Sequence, residues 1–235
     1  MENILFGKTI VWDGDSICAG GAEKGNWATR IASRNSMNCK NYAVGGGTIT
    51  EGAPKGASGN ERHCVSTTLE KMYAEYPDAD YIILEGGTND ADLLEALSGS
   101  SRLGTIAPDD FSGNYDRETF CGALESVFYR ATKYWMGKKI GFIVAHKMGV
   151  IPNERRRRRM YFDMAVKACK KWGIPYVDLW EGCYLNPCLP WMSDKSKTPE
   201  ENCAENVLFY SDGQHLTSRG YDFTSEIIEN WMRTL

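Results

Sequence analysis

Short apolar runs recur along the chain, and each gives way to a polar, glycine-bearing stretch. Residues 9–12 run into Asp13-Gly14-Asp15-Ser16, residues 42–44 into Gly45-Gly46-Gly47, and residues 81–84 into Glu85-Gly86-Gly87-Thr88-Asn89-Asp90. Residues 140–145 and 175–179 complete a set of strand candidates. Buried strands that deliver their last residues into loops produce this change of character. Between the runs the apolar spacing turns helical. Trp27 and Ile31 mark a helix over 27–34, and Leu69, Met72 and Tyr76 mark one over 66–76 that stops at Pro77. Phe120, Leu124, Val127, Phe128 and Ala131 mark the next, followed by a helix over 154–172 carrying Met160, Met164 and Cys169. A last helix over 217–231 carries Tyr221, Thr224, Ile228 and Trp231, with Thr217 or Ser218 as its cap.

Apolar strands alternating with helix-length intervals call for a mostly parallel sheet covered on both faces. Sites in such sheets collect beyond the carboxyl ends of the strands, where the glycine-rich polar loops fall. No repeat or linker divides the chain, so residues 1–235 read as a single domain. Two segments, near 91–115 and 183–207, are rich in Ser, Gly, Asp and Pro and read as irregular insertions, the first with at most one helical turn.

Composition narrows the partners. With 27 basic and 31 acidic residues the net charge is -4, which gives no general attraction to nucleic acid or to an anionic membrane surface. The exception is Arg155–Arg159. Successive helical residues differ by about 100°, so the run cannot share one face and reads as a solvated helix start. One or two of its arginines facing an anionic substrate is the alternative. No stretch approaches the roughly 18 apolar residues of a membrane span. The first ten residues lack the pattern of a secretory signal, so a cytoplasmic protein is expected of the chain as given. The eight cysteines are scattered and expected to be reduced, with a Cys183–Cys188 bridge left open.

Ser16 stands where a hydroxyl can be rigid yet exposed, but a serine needs a nearby base to become a nucleophile. Among three histidines, His215 is the best base, because Asp212 three residues earlier could orient its other ring nitrogen. Acyl transfer also develops a negative oxygen, which the backbone NH of Ser16, the NH of Gly46 and the Asn89 amide could receive. His146, just after a strand, is placed as a pocket residue or an ordinary structural histidine; His63 shows no partner. Asp90 and Asp92 read as solvated loop acids, with pocket electrostatics as the alternative. Trp180, Tyr184, Leu189 and Trp191 offer either an aromatic rim for a sugar, with Trp191 as the substrate-binding candidate, or a local apolar cluster.

Gly14-Asp15-Ser16, Gly46 within Asn41-Tyr42-Ala43-Val44-Gly45-Gly46-Gly47-Thr48, Gly87-Thr88-Asn89-Asp90 and Asp212-Gly213-Gln214-His215 occur in this order at strand ends. In this the sequence resembles the SGNH or GDSL hydrolases. The resemblance spans the whole chain and implies a flavodoxin-like α/β/α three-layer sandwich with a mostly parallel, five-stranded sheet. It implies a triad of Ser16, Asp212 and His215 and oxyanion donors from Ser16, Gly46 and Asn89. The two insertions depart from simple connections and imply a customised pocket mouth or a homo-oligomer surface.

The expected activity is hydrolysis of carboxylic esters through an acyl-enzyme, with short acyl groups on a carbohydrate favoured over long acyl chains or thioesters. A noncatalytic carbohydrate-binding or structural protein is the alternative of a different class. Without an HExxH motif, a His/Cys cluster or a phosphate-loop pattern, no metal or cofactor is called for.

Overall fold

The computed structural model describes residues 3–21, 24–56, 59–94, 102–205 and 208–235. Five strands, β1 (Thr9–Asp13), β2 (Asn38–Asn41), β3 (Tyr81–Glu85), β4 (Lys139–Val144) and β5 (Tyr176–Asp178), form one sheet in the order β2-β1-β3-β4-β5. Every pairing is parallel. Strand β3 lies central and is buried along its whole length, as the apolar run requires of a strand covered on both faces.

The helices are α1 (Ser16–Ala19), α2 (Trp27–Asn35), α3 (Val65–Glu75), α4 (Phe120–Tyr134), α5 (Pro152–Trp172), α6 (Leu179–Gly182), α7 (Pro199–Glu205) and α8 (Ser218–Met232). On one side of the sheet α2 packs against α8. The Trp27 indole NH donates to Thr224 Oγ1 at 2.8 Å, and its ring meets the edge of Tyr221 at 5.8 Å. On the other side α3, α4 and α5 pack in succession, with Phe128 against Phe142 of β4 and Phe120 against Tyr161 of α5. The result is a three-layer α/β/α arrangement whose chain reverses its winding between β1 and β3. Open sheets of this order bind at that reversal, beyond the strand ends.

Several expectations need correction. The second strand is residues 38–41, four residues before the run that suggested it. It is an edge strand with exposed or half-buried side chains, so hydrophobicity carries no trace of it, and its Lys40 fits the charged residues that blunt sheet edges. Ser16 opens a one-turn helix that the pattern did not show. Residues 90–94 wind into a π-type turn, while part of the first insertion, 95–101, falls outside the described residues. The second insertion contains α7, which starts at Pro199 as a proline tolerates. Thr217 caps α8 by accepting from the Gly220 NH. All eight cysteines are free thiols, Cys183 buried and Cys188 exposed. Among the described residues no helix is long and apolar enough to cross a membrane.

Candidate active site

The turn after β1 presents Ser16. Asp15 caps α1 with its carboxylate, which accepts from the Ile17 NH at 2.8 Å, and its own NH donates to Glu85 Oε2 at 3.1 Å. Glu85 is the last residue of β3, so the turn bearing Ser16, the candidate nucleophile, is fastened to the central strand. The two strands approach so closely that a Cβ on Gly14 would stand 2.7 Å from Glu85 Oε2 and 2.9 Å from Cys18 Cβ. Asp15 and Glu85 are both buried. Burial raises both carboxyls, Asp15 to about 6 despite the Ile17 NH, and Glu85 further through repulsion from Asp15. Burial and the neighbouring Asp15 carboxyl thus favour the neutral form of Glu85.

Across the sheet end, His215 Nε2 lies 3.0 Å from Ser16 Oγ and Nδ1 lies 2.7 Å from Asp212 Oδ2. Residues 199 positions apart in sequence meet here. Burial raises the Asp212 carboxyl, but the His215 ring and the Gln214 and His215 NH groups, at 2.8 and 2.7 Å, outweigh it and hold the group well below the usual carboxylate range. An ionised Asp212 keeps the proton on Nδ1, leaving the Nε2 lone pair toward the serine hydroxyl.

The glycine loop leans on the same turn. The Val44 NH donates to the Gly14 carbonyl at 3.3 Å, and the Gly47 NH donates back to Val44 at 3.0 Å. Gly46 sits at φ +79°, a left-handed conformation that glycine adopts without strain. Because the Gly47 NH is taken, Gly46 is the better oxyanion candidate of the two. The Asn89 amide donates to the Gly47 carbonyl at 2.9 Å and so ties the loop after β3 to the glycine loop. Asp90 reinforces the tie. Its buried carboxylate accepts from the Ile49 NH at 3.1 Å and the Thr50 NH at 2.9 Å. It is a structural bracket and not a solvated loop acid.

Of the two readings of His146, pocket residue or structural histidine, the structure contradicts the first and fits the second. The residue has no exposed surface, and its Nε2 lies 2.9 Å from the Gln214 carbonyl, beneath the 212–215 segment. Burial pushes its imidazolium down to about 4, against the Gln214 bond, so the ring is a neutral NH donor at neutral pH. Trp191 is 66% exposed. Tyr184 is exposed as well, with its ring against Phe223. Trp180 is buried against Phe162 and contributes no rim. His63 does have a partner, Asp13 Oδ1 at 2.6 Å. The arginine run is also divided: Arg158 is buried and pairs with Asp92 at 2.6 Å, joined by Arg157 at 3.2 Å.

The parallel order 2-1-3-4-5, with the serine turn and the asparagine loop on either side of the winding reversal and a histidine segment brought over both, settles the architecture. The chain has the SGNH hydrolase fold. Solved structures with this arrangement include a protein from Lactobacillus plantarum, 19% identical with a TM-score of 0.70 over 97% of this chain and 98% of that one. Est24, a carbohydrate acetylesterase from Sinorhizobium meliloti, is 12% identical with a TM-score of 0.64, covering 97% and 99%. A candidate GDSL-like lipase from Bacteroides ovatus is 16% identical with a TM-score of 0.59, covering 97% and 99%. No family model and no curated protein matches the sequence. The likeness to these SGNH-fold structures is therefore one of backbone, and the chemistry rests on the side chains just described.

Proposed function

We propose that this protein is a serine esterase that hydrolyses carboxylic esters through an acyl-enzyme, with short acyl groups, acetyl above all, on a carbohydrate as substrate. The observation that carries the reading is the single file of Asp212, His215 and Ser16, joined at 2.7 and 3.0 Å. His215 takes the hydroxyl proton as Ser16 Oγ attacks the ester carbon, and Asp212 stabilises the imidazolium. The tetrahedral oxygen is received by the Ser16 and Gly46 NH groups and the Asn89 amide. His215 then gives its proton to the departing alcohol, and water attacks the acyl-enzyme with His215 again as base.

A hydrated substrate is favoured by the surroundings. Behind the glycine loop lies a cavity of about 290 Å³ lined by Thr48, Thr50, Glu51, Glu61, Arg62 and Thr67 among others. Arg62 faces the Gly46 carbonyl at 3.3 Å. The triad residues do not line this cavity, but its carboxylates, arginine and threonine hydroxyls offer hydrogen-bond partners to the hydroxyls of a sugar reaching past the glycine loop. The Est24 relative, named as a carbohydrate acetylesterase, points the same way. The test is a panel of acetylated sugars and esters of graded acyl length, assayed with the parent and Ser16→Ala. Turnover of acetyl esters that vanishes in the variant supports the reading. Equal turnover in both proteins refutes it, and activity rising with chain length would move the substrate class to lipids.

A further inference from the structure

The arginine run supplies one side chain that the chemistry above does not use. Arg158 enters from α5 and its side chain is 6% exposed. Its Nε lies 3.1 Å from Asp92 Oδ1 and 3.2 Å from Oδ2, and its Nη2 lies 2.6 Å from Oδ2. The same Nη2 donates to Gln214 Oε1 at 2.9 Å. Asp92 belongs to the turn that follows Asn89, and Gln214 stands between Asp212 and His215. One guanidinium therefore bridges the segment bearing the oxyanion amide and the segment bearing the base.

Gln214 is gripped at three points. Its carbonyl meets His146, its NH donates to Asp212, and its side chain meets Arg158. Burying a guanidinium carries a heavy desolvation penalty, which is offset only by well-placed partners. A lysine could neutralise Asp92 but could not make the forked contact and reach Gln214 together.

Resting on the esterase reading, we infer that Arg158 is a positioning residue: with Asp92 it forms a latch that, through Gln214, holds His215 in reach of Ser16 while fixing the Asn89 segment opposite. Without the latch His215 and the oxyanion donors still exist but hold their relative placement for a smaller part of the time. A misplacement near 1 Å can cost about 100-fold in rate.

The experiment compares parent, Arg158→Met, Arg158→Ala, Arg158→Lys, Gln214→Leu and the Arg158→Met/Gln214→Leu double variant on a small acetyl ester. Rates are taken per serine titrated by a fluorophosphonate, so that an unfolded fraction does not count. Arg158→Met is expected to lower kcat by roughly 10- to 100-fold with KM nearly unchanged. Lysine should restore little of this, and guanidinium ion added to Arg158→Ala should restore part of it. Gln214→Leu, which leaves the buried ion pair in place, guards against a folding failure and should lower kcat by about 3- to 10-fold. The double variant should resemble Arg158→Met alone, because linked residues are not additive. If kcat per titrated serine is unchanged in Arg158→Met and Gln214→Leu, only stability being lost, the latch is refuted while the esterase stands. A parent that neither turns over the ester nor takes the label refutes both.

Discussion

Two histidine–carboxylate pairs stand near the same end of the sheet, and their contrast shows what sets a candidate catalytic pair apart beyond proximity. His63 lies 2.6 Å from Asp13 and His215 lies 2.7 Å from Asp212. Their carboxyls nevertheless move in opposite directions. Burial dominates at Asp13 and raises it against the His63 and Gly14 contacts, and its Oδ2 is buried without a partner. At Asp212 the imidazole and two backbone NH groups prevail over burial and the carboxyl is lowered. The difference lies in burial, complete at Asp13 and partial at Asp212, and in the second backbone NH that the local turn aims at Asp212. Position completes the distinction. His63 points its Nε2 at the carboxylate, whereas His215 uses Nδ1 for that purpose and turns Nε2 to a hydroxyl. One pair is arranged as a brace and the other as a candidate base.

Three substitutions would break or sharpen this contrast. His215→Ala should lower kcat by on the order of 10⁴-fold or more, as loss of a base does in a serine triad, while His63→Gln should change it by less than about threefold and act on stability. Comparable losses of kcat in both variants would erase the distinction. Asn89→Ala removes a candidate oxyanion donor and a tie to the glycine loop, and kcat should fall by about 100- to 1,000-fold. An unchanged kcat would remove Asn89 from the chemistry.

At the Ser16 turn, the upward push on the Glu85 carboxyl predicts that Glu85→Gln, a neutral isostere, keeps the fold and most of the activity. Glu85→Ala leaves a void and a buried Asp15 NH without its acceptor, with a cost of about 2–4 kcal/mol. Urea titration of both variants measures the difference. Equal destabilisation by Gln and Ala would contradict the neutral acid.

The smallest effect is a pH dependence. His146 is lowered from 6.5 to about 4, so the fold favours its neutral ring. That contribution is full above about pH 6.5 and is lost as pH falls toward 4. Asp15, raised to about 6, runs the other way, its neutral form favouring the fold as pH falls. The comparison that isolates His146 is therefore parent against His146→Gln. Between pH 7 and 4.5 the parent should lose about 2–3 kcal/mol relative to the variant in urea unfolding, and parallel pH curves would contradict the buried neutral ring.

The parts of this picture that the sequence disclosed are those with local signatures. Strands β1, β3, β4 and β5 were legible from apolar runs, and Ser16, Asn89 and His215 from the polar turns beside them. Strand β2 was hidden because an exposed edge leaves no hydrophobic trace. The contacts that support the site were hidden for a different reason. Glu85 with Asp15 spans 70 positions, His63 with Asp13 spans 50, and Arg158 with Asp92 spans 66. No periodicity in one sequence joins residues that far apart. The arginine run misled for the same reason, since helical geometry excludes a common face but does not say which residue turns inward.

The most direct test of the central claim is where a fluorophosphonate attaches, and how fast, measured by intact mass and peptide mapping of the parent, Ser16→Ala and His215→Ala proteins. One adduct on Ser16 of the parent, none on Ser16→Ala and strongly slowed attachment to His215→Ala is the predicted result. An adduct on another residue, or attachment to His215→Ala at the parent's rate, would contradict the claim that His215 activates Ser16.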